Sequence, residues 1–435
     1  YGNEADLTMP EILEYYGQDE GTRLIMMQTE SFKDPAAFLE VARKITPHKP
    51  ILALKAGMTR EGSVAVSSHT GTLVDQAAMA TAMYRKAGVV EFHDSAEMIK
   101  TAIALSSQDP PPGNRIGIIT NTGGPGIQAV DHSVGNGLAL AKWSEGGYKR
   151  LEESLYAEAS LGNPVDVVAT GGPDHYFAAA DTLLSEEETD MVLIYFVSAP
   201  FVDLDGIAAR IKEANDKSNK PIAAVVCTIP KWQRLIDKLR ASGIPVYDYA
   251  EDAARSLANM YRYTALRDRP AEEVPVFDDI DKAAAEAIVG KYDGKGVYMT
   301  QAEAFALLGA YGIGAPKVAA ITGAGDLAAA ADAVGFPCVL KVDSEDVLHK
   351  SDAGGVALNL GDMDALTAAL DKMESTFGAG KGYVVMQQAA PGTELIIGVT
   401  ESPGLGSLIM FGLGGIFVEV MKDVAFSLAP LSRPE

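Results

Sequence analysis

A chain of 435 residues exceeds what one hydrophobic core usually holds, so two to four domains are expected. Apolar residues make up 47% and glycine fills 43 positions, which suits an α/β globular protein and excludes a fibrous or disordered one. Against 59 Asp and Glu stand only 36 Lys and Arg, and the net charge of -23 opposes general attraction to nucleic acid or an anionic membrane, so an anionic ligand needs a local site.

The opening, Tyr1 to Leu7, has no basic segment followed by an apolar one, and no apolar run approaches the roughly 20 residues that span a bilayer. Because it also lacks an initiator Met, the sequence reads as a fragment of a longer protein. Short β-rich apolar runs follow at Leu24–Met27, Pro50–Leu54, Ile116–Thr120, Met191–Phe196, Ile222–Cys227 and Cys338–Val342. Amphipathic stretches such as Pro35–Lys44 and Asp252–Tyr263 separate them, and the alternation predicts parallel sheets covered by helices. The three prolines of Asp109–Gly113 and the Pro and acid mixture of Arg267–Asp279 mark boundaries, giving segments 1–108, 114–266 and 283–435. The second reads as flavodoxin-like, and the third opens with a helix near Thr300–Leu308. Cys227 and Cys338 lie far apart in apolar runs, which excludes a disulfide framework or a CxxC metal site and predicts a cytoplasmic setting.

Four features could carry chemistry. His69 sits in Ser67-Ser-His-Thr-Gly-Thr72, within the Gly- and Ser-rich stretch 57–71 that reads as a mobile loop. Neutral imidazole is a good nucleophile near pH 7, though a single histidine is more often structural. Gly123, Gly124 and Gly126 follow a strand and precede a helix near Ile127–Ser133, where main-chain amides could cradle a phosphate or merely form a tight turn. The spacing matches neither a Walker motif nor a dinucleotide fingerprint. Lys341 stands on an apolar strand, either beside nucleotide phosphates or reaching solvent. Glu30, just beyond a strand, could orient an imidazole or could simply be solvated.

Taken in order, several motifs resemble the ADP-forming acyl-CoA synthetases, relatives of succinyl-CoA synthetase. They are Gly2 to Leu7, Lys55-Ala-Gly57 with Ser68-His-Thr-Gly71, Asn121 to Gly126, Gly162-Asn-Pro-Val-Asp166, His349 to Val356 and Phe411 to Ile416. The resemblance covers essentially the whole chain. It implies two flavodoxin-like parallel-sheet domains, 1–108 and 114–266, followed by an ATP-grasp domain, 283–435. It further implies a relay in which ATP phosphorylates His69, the phosphoryl group passes to a small carboxylic acid, and CoA displaces it to form the thioester. Glu30 and the helix start at Gly123–Gly126 would steady the phosphohistidine. Lys341 would meet the nucleotide phosphates, Gln388 would lie at the adenine hinge in place of the usual Glu, and Glu394 would lie near the ribose or metal.

Family members begin with a CoA-binding domain and end with magnesium ligands beyond Pro430. Neither is seen in the sequence, so weakened CoA and Mg²⁺ binding is expected of this stretch alone, and the metal ligands are left unnamed. A homodimer is expected from the relatives. Two alternatives stand beside the ligase: a non-catalytic regulatory module of the protein acetyltransferase type, and an ATP-grasp ligase that forms an amide without phosphohistidine.

Overall fold

The computed structural model describes residues 4–57, 76–197, 201–226, 232–270, 273–294, 296–343, 354–378, 381–402, 404–415 and 424–433. His69 therefore lies outside the described residues. The chain forms two compact units, one made of Tyr1–Val274 with Leu395–Glu435 and one of Pro275–Glu394.

The first unit opens with a parallel sheet in the order β1 (Ile25–Thr29), β2 (Ile51–Lys55), β3 (Val90–Phe92). Its strands are short and β2 is almost wholly buried, as a sheet with helices on both faces requires. The helix Pro35–Ile45 starts where Asp34 accepts a hydrogen bond from the Ala37 amide and proline fills the first turn, so an otherwise orphaned donor is satisfied. Its buried Phe38, Ala42 and Ile45 recur at helical spacing and face the sheet core.

A second parallel sheet follows, with strands β4 (Arg115–Thr120), β5 (Ala139–Leu140), β6 (Val165–Asp166), β7 (Met191–Phe196), β8 (Ile222–Val226) and β9 (Val246–Tyr247). The order is β5-β4-β7-β8-β9, with β6 pairing the carboxyl half of β4 beyond the end of β5. Arg115 starts β4 with three hydrogen bonds to the buried Asp190 carboxylate, from its main-chain amide and from two guanidinium nitrogens. Leu52, Val90 and Phe92 of the first sheet share one core with Ile116, Met191 and Leu257, the last on the helix Ala250–Arg267. The Tyr263 hydroxyl of that helix donates to the Thr46 carbonyl at 2.8 Å.

The second unit differs from the parallel arrangement expected for Cys338–Val342. Its sheet, in the order β10 (Val318–Ile321), β13 (Tyr383–Gln387), β11 (Cys338–Val342), β12 (Val356–Leu360), is antiparallel throughout. A strand buried on both faces carries the same apolar run in either sense, so its composition does not set its direction. The helices Leu327–Val334 and Met363–Phe377 supply Leu327, Leu366 and Leu370 to a core with Leu340 and Tyr383.

The last strands, β14 (Leu395–Ser402), β15 (Gly406–Leu413) and β16 (Val424–Leu428), form an antiparallel sheet that belongs to the first unit. Leu408 and Leu428 join Phe38, Met83 and Tyr84 in one core, and the Lys86 ammonium donates to the carbonyls of Leu428 and Pro430.

Candidate phosphoryl-transfer and nucleotide sites

In the first unit, Glu30 follows β1 directly and its side chain is exposed. Parallel pairing sets Thr29 opposite Lys55 and the Ala56 amide donates to the Thr29 carbonyl at 2.8 Å, so Glu30 adjoins the start of the chain segment that carries His69.

The helix after β4 begins at Gly123, four residues ahead of the expected start, so the glycines form its first turn. None of the three has a positive φ. A Cβ on Gly126 would lie 2.9 Å from the Thr120 methyl, so this glycine is required by packing. Among the described residues, a Cβ on Gly123 or Gly124 would meet nothing within 4 Å, which leaves main-chain amides without intrahelical partners approachable at a helix start.

This turn stands where the strand order changes direction, between β4 and β7, the place where open α/β sheets bind ligands. Two side chains that composition alone did not single out hold it. The buried Asn121 amide donates to the Val197 carbonyl at 2.6 Å and accepts from the Val197 amide at 2.9 Å. Asn163 accepts from Ile118 and donates to Ile116 and Ala141, tying β4 to the chain after β5. Asp166 accepts from the Val168 amide at 2.9 Å, where Val168 has a φ of 59°. The Tyr176 phenol is fully buried with no hydrogen-bond partner among the described residues, and burial, then Asp166, pushes it well above its usual range, so it stays protonated. The Asn121–Gly126 and Gly162–Asp166 motifs were the sequence signals for this arrangement.

In the second unit, Lys341 is half-buried on β11, opposite Val356 of β12 and Val384 of β13. Gln388 follows β13. Its side chain accepts from the Asn359 amide at 2.8 Å and donates to the Asn359 side chain at 2.6 Å, so the glutamine bridges to β12. Glu394 is exposed beyond the sheet. Thus Lys341 and Gln388 share the β11–β13 region, whereas Glu30 and the three glycines belong to the other unit. Among the described residues, no group of three or more His, Cys, Asp or Glu is gathered as a metal would require. Nor is any helix there long and apolar enough to cross a membrane.

A cleft of about 430 Å³ in the first unit gathers Arg43, Arg85, Lys86, Arg267 and Arg269. Four of these lie in the last turns of the helices Pro35–Ile45, Gln76–Ala87 and Ala250–Arg267, where cations complement the carbonyl ends.

The fold and these turns define an α/β protein with a flavodoxin-type parallel-sheet portion joined to an ATP-grasp portion. Residues 1–105 match the succinyl-CoA ligase-like flavodoxin domain and residues 292–435 match the ATP-grasp domain. The ADP-forming acetate–CoA ligase I of Archaeoglobus fulgidus is 32% identical over 446 residues, covering 100% of this chain and 63% of that protein. The ADP-forming 4-hydroxybutyrate–CoA ligase of Nitrosopumilus maritimus is 30% identical, with coverage of 100% and 63%. The beta subunit of acetate–CoA ligase I from Pyrococcus furiosus is 33% identical over 35% of this chain and 68% of its own length. Among solved structures, the acetyl-coenzyme A synthetase 1 of Ca. Korarchaeum cryptofilum in complex with phosphate and ADP superposes with a TM-score of 0.57 at 26% identity, covering 61% of this chain and 58% of that one. The chain belongs to the ADP-forming acyl-CoA synthetase family. It spans about 63% of the length of the first two relatives. These relatives are ligases, and none favours the regulatory module considered from the sequence.

Proposed function

We propose that the protein containing this chain joins a small carboxylic acid to coenzyme A using ATP, releasing ADP and phosphate. A neutral His69 nitrogen attacks the γ-phosphorus, the bond to the β-phosphate oxygen breaks, and ADP leaves. A carboxylate oxygen of the substrate then attacks phosphohistidine, freeing the imidazole and forming an acyl phosphate. CoA sulfur adds to the acyl carbon, the thiol proton is given up, and phosphate departs as the thioester forms. Each step is reversible, because phosphohistidine, acyl phosphate and thioester all retain high transfer potential.

The observation that carries this reading is the adjacency of Glu30 to the start of the segment bearing His69 at the carboxyl edge of the first sheet. Glu30 would orient and steady the imidazole, and the open helix start at Gly123 and Gly124 would receive the phosphoryl group without a cation, Gly126 holding that turn in place. In the second unit, Lys341 would hold the nucleotide phosphates, the chain at Gln388 would line the adenine side and Glu394 would lie near the ribose or the metal. Magnesium would arrive with its nucleotide as Mg-ATP.

The proposal extends to a division into 1–108, 114–266 and 283–435, to a homodimer and to a cytoplasmic location, the last drawn from cysteine usage. The test incubates the whole protein with Mg-ATP and locates an acid-labile phosphoryl group by peptide mass spectrometry. Label on the Ser68–Gly71 peptide, absent from a His69→Ala control and discharged by acetate plus CoA, is expected. An unlabelled, folded, ATP-binding protein overturns the relay.

A further inference from the structure

Lys55 closes β2 with only 4% of its surface exposed. Its ammonium donates to the main-chain oxygen of Glu30 at 2.7 Å and to that of Ala56 at 2.5 Å. One buried cation thus grips the residue that follows β1 and the residue that follows β2. Burial pushes the ammonium below the usual lysine range, and the charges of Glu30 and then Glu91 oppose that. Glu91 is itself buried on β3 and accepts a hydrogen bond from the Thr81 hydroxyl. Nearby, the Thr29 and Tyr84 hydroxyls lie 2.5 Å apart, so a polar seam runs beneath the helix Gln76–Ala87.

Burying a charge is costly, and an apolar side chain of similar volume would often serve stability as well. A cation at this place therefore calls for a role that an apolar residue cannot fill. What the ammonium supplies, and a methionine would not, is a grip on the Glu30 carbonyl. Glu30 lies one residue past the last strand pair, where sheet hydrogen bonding no longer fixes its main chain.

We propose that Lys55 is a positioning residue for phosphoryl transfer: by holding the Glu30 main chain, it sets the direction of the Glu30 carboxylate. This rests on the roles of Glu30 and His69 given above. Lys55 itself touches no reacting atom.

The test measures, in the whole protein, the rate of acid-labile labelling from Mg-ATP, kcat and the KM for ATP, with thermal melting as a check of folding. Lys55→Met should lower kcat and the labelling rate by about 10²-fold, the size expected when a reacting group is misdirected by about an ångström, and leave the KM for ATP within about twofold. Lys55→Arg, which keeps the charge in a different shape, should lose about tenfold, and in a Glu30→Gln background it should cause no further loss. Wild-type labelling and kcat in a folded Lys55→Met protein overturn the proposal. If that variant does not fold, the Lys55→Arg and Glu30→Gln pair decides, and losses that simply multiply overturn it. An unlabelled wild-type protein is a different failure, since it removes the phosphohistidine relay itself and this inference with it.

Discussion

Gly123 and Gly126 occupy the same helical turn for different reasons. A methyl on Gly126 must displace the Thr120 side chain, 2.9 Å away, at a buried position. Gly126→Ala should therefore destabilise by about 1–3 kcal/mol in urea unfolding. Gly123→Ala meets nothing within 4 Å and should leave stability unchanged or raise it by up to about 1 kcal/mol, while slowing phosphoryl transfer if the anion comes close to the amides. Equal stability losses in the two variants would contradict this division. Asp190 gives a pH signature. Burial acts to raise its carboxyl, but the hydrogen bonds from Arg115 outweigh that and hold it below its usual range. A depressed folded value means the stabilisation is complete above the unfolded value of about 3.9 and is lost as pH falls through the folded one. Asp190→Asn should cost about 3 kcal/mol at pH 7, and the gap from wild type should shrink below about pH 4 when unfolding curves are compared across pH.

At the scale of elements, β14 to β16 are joined in sequence to the antiparallel unit yet pack with the first sheet. Leu428 is 2% exposed in a core with Leu408 and Tyr84. Leu428→Ala should destabilise the first unit by about 2–4 kcal/mol, read from the midpoint of urea unfolding followed by circular dichroism. A value near zero would show that this sheet is not part of that core. Such packing was not legible in the sequence, because the run that forms β16 does not name its partner. The strands Met191–Phe196 and Cys338–Val342 were legible to the residue as apolar runs, whereas β5, β6 and β9, two residues each, are too short to show a period. The Gly123 turn stood out by composition. The grip of Lys55 on Glu30 and of Asn121 on Val197 did not, since their partners lie 25 and 76 residues away.

Across this chain, the net charge of -23 would meet an anionic nucleotide with repulsion at long range. Added salt up to about 0.2 M should therefore raise the association rate of ATP measured by stopped flow, as the Debye length falls below about 10 Å. A rate that falls with salt would instead mean that a local positive field governs the approach.

The first unit is interrupted in sequence by the second, which has consequences during synthesis. A ribosome releases residues 1–274 well before it makes Leu408 and Leu428, so the core around Phe38 and Tyr84 stays open along one side until the intervening unit has emerged. Closing an unstructured loop of roughly 120 residues would cost about 4 kcal/mol in chain entropy, whereas a loop already folded has lost that freedom beforehand. An inserted unit that folds before its host closes would therefore lower the entropy cost of joining the last strands to the first core.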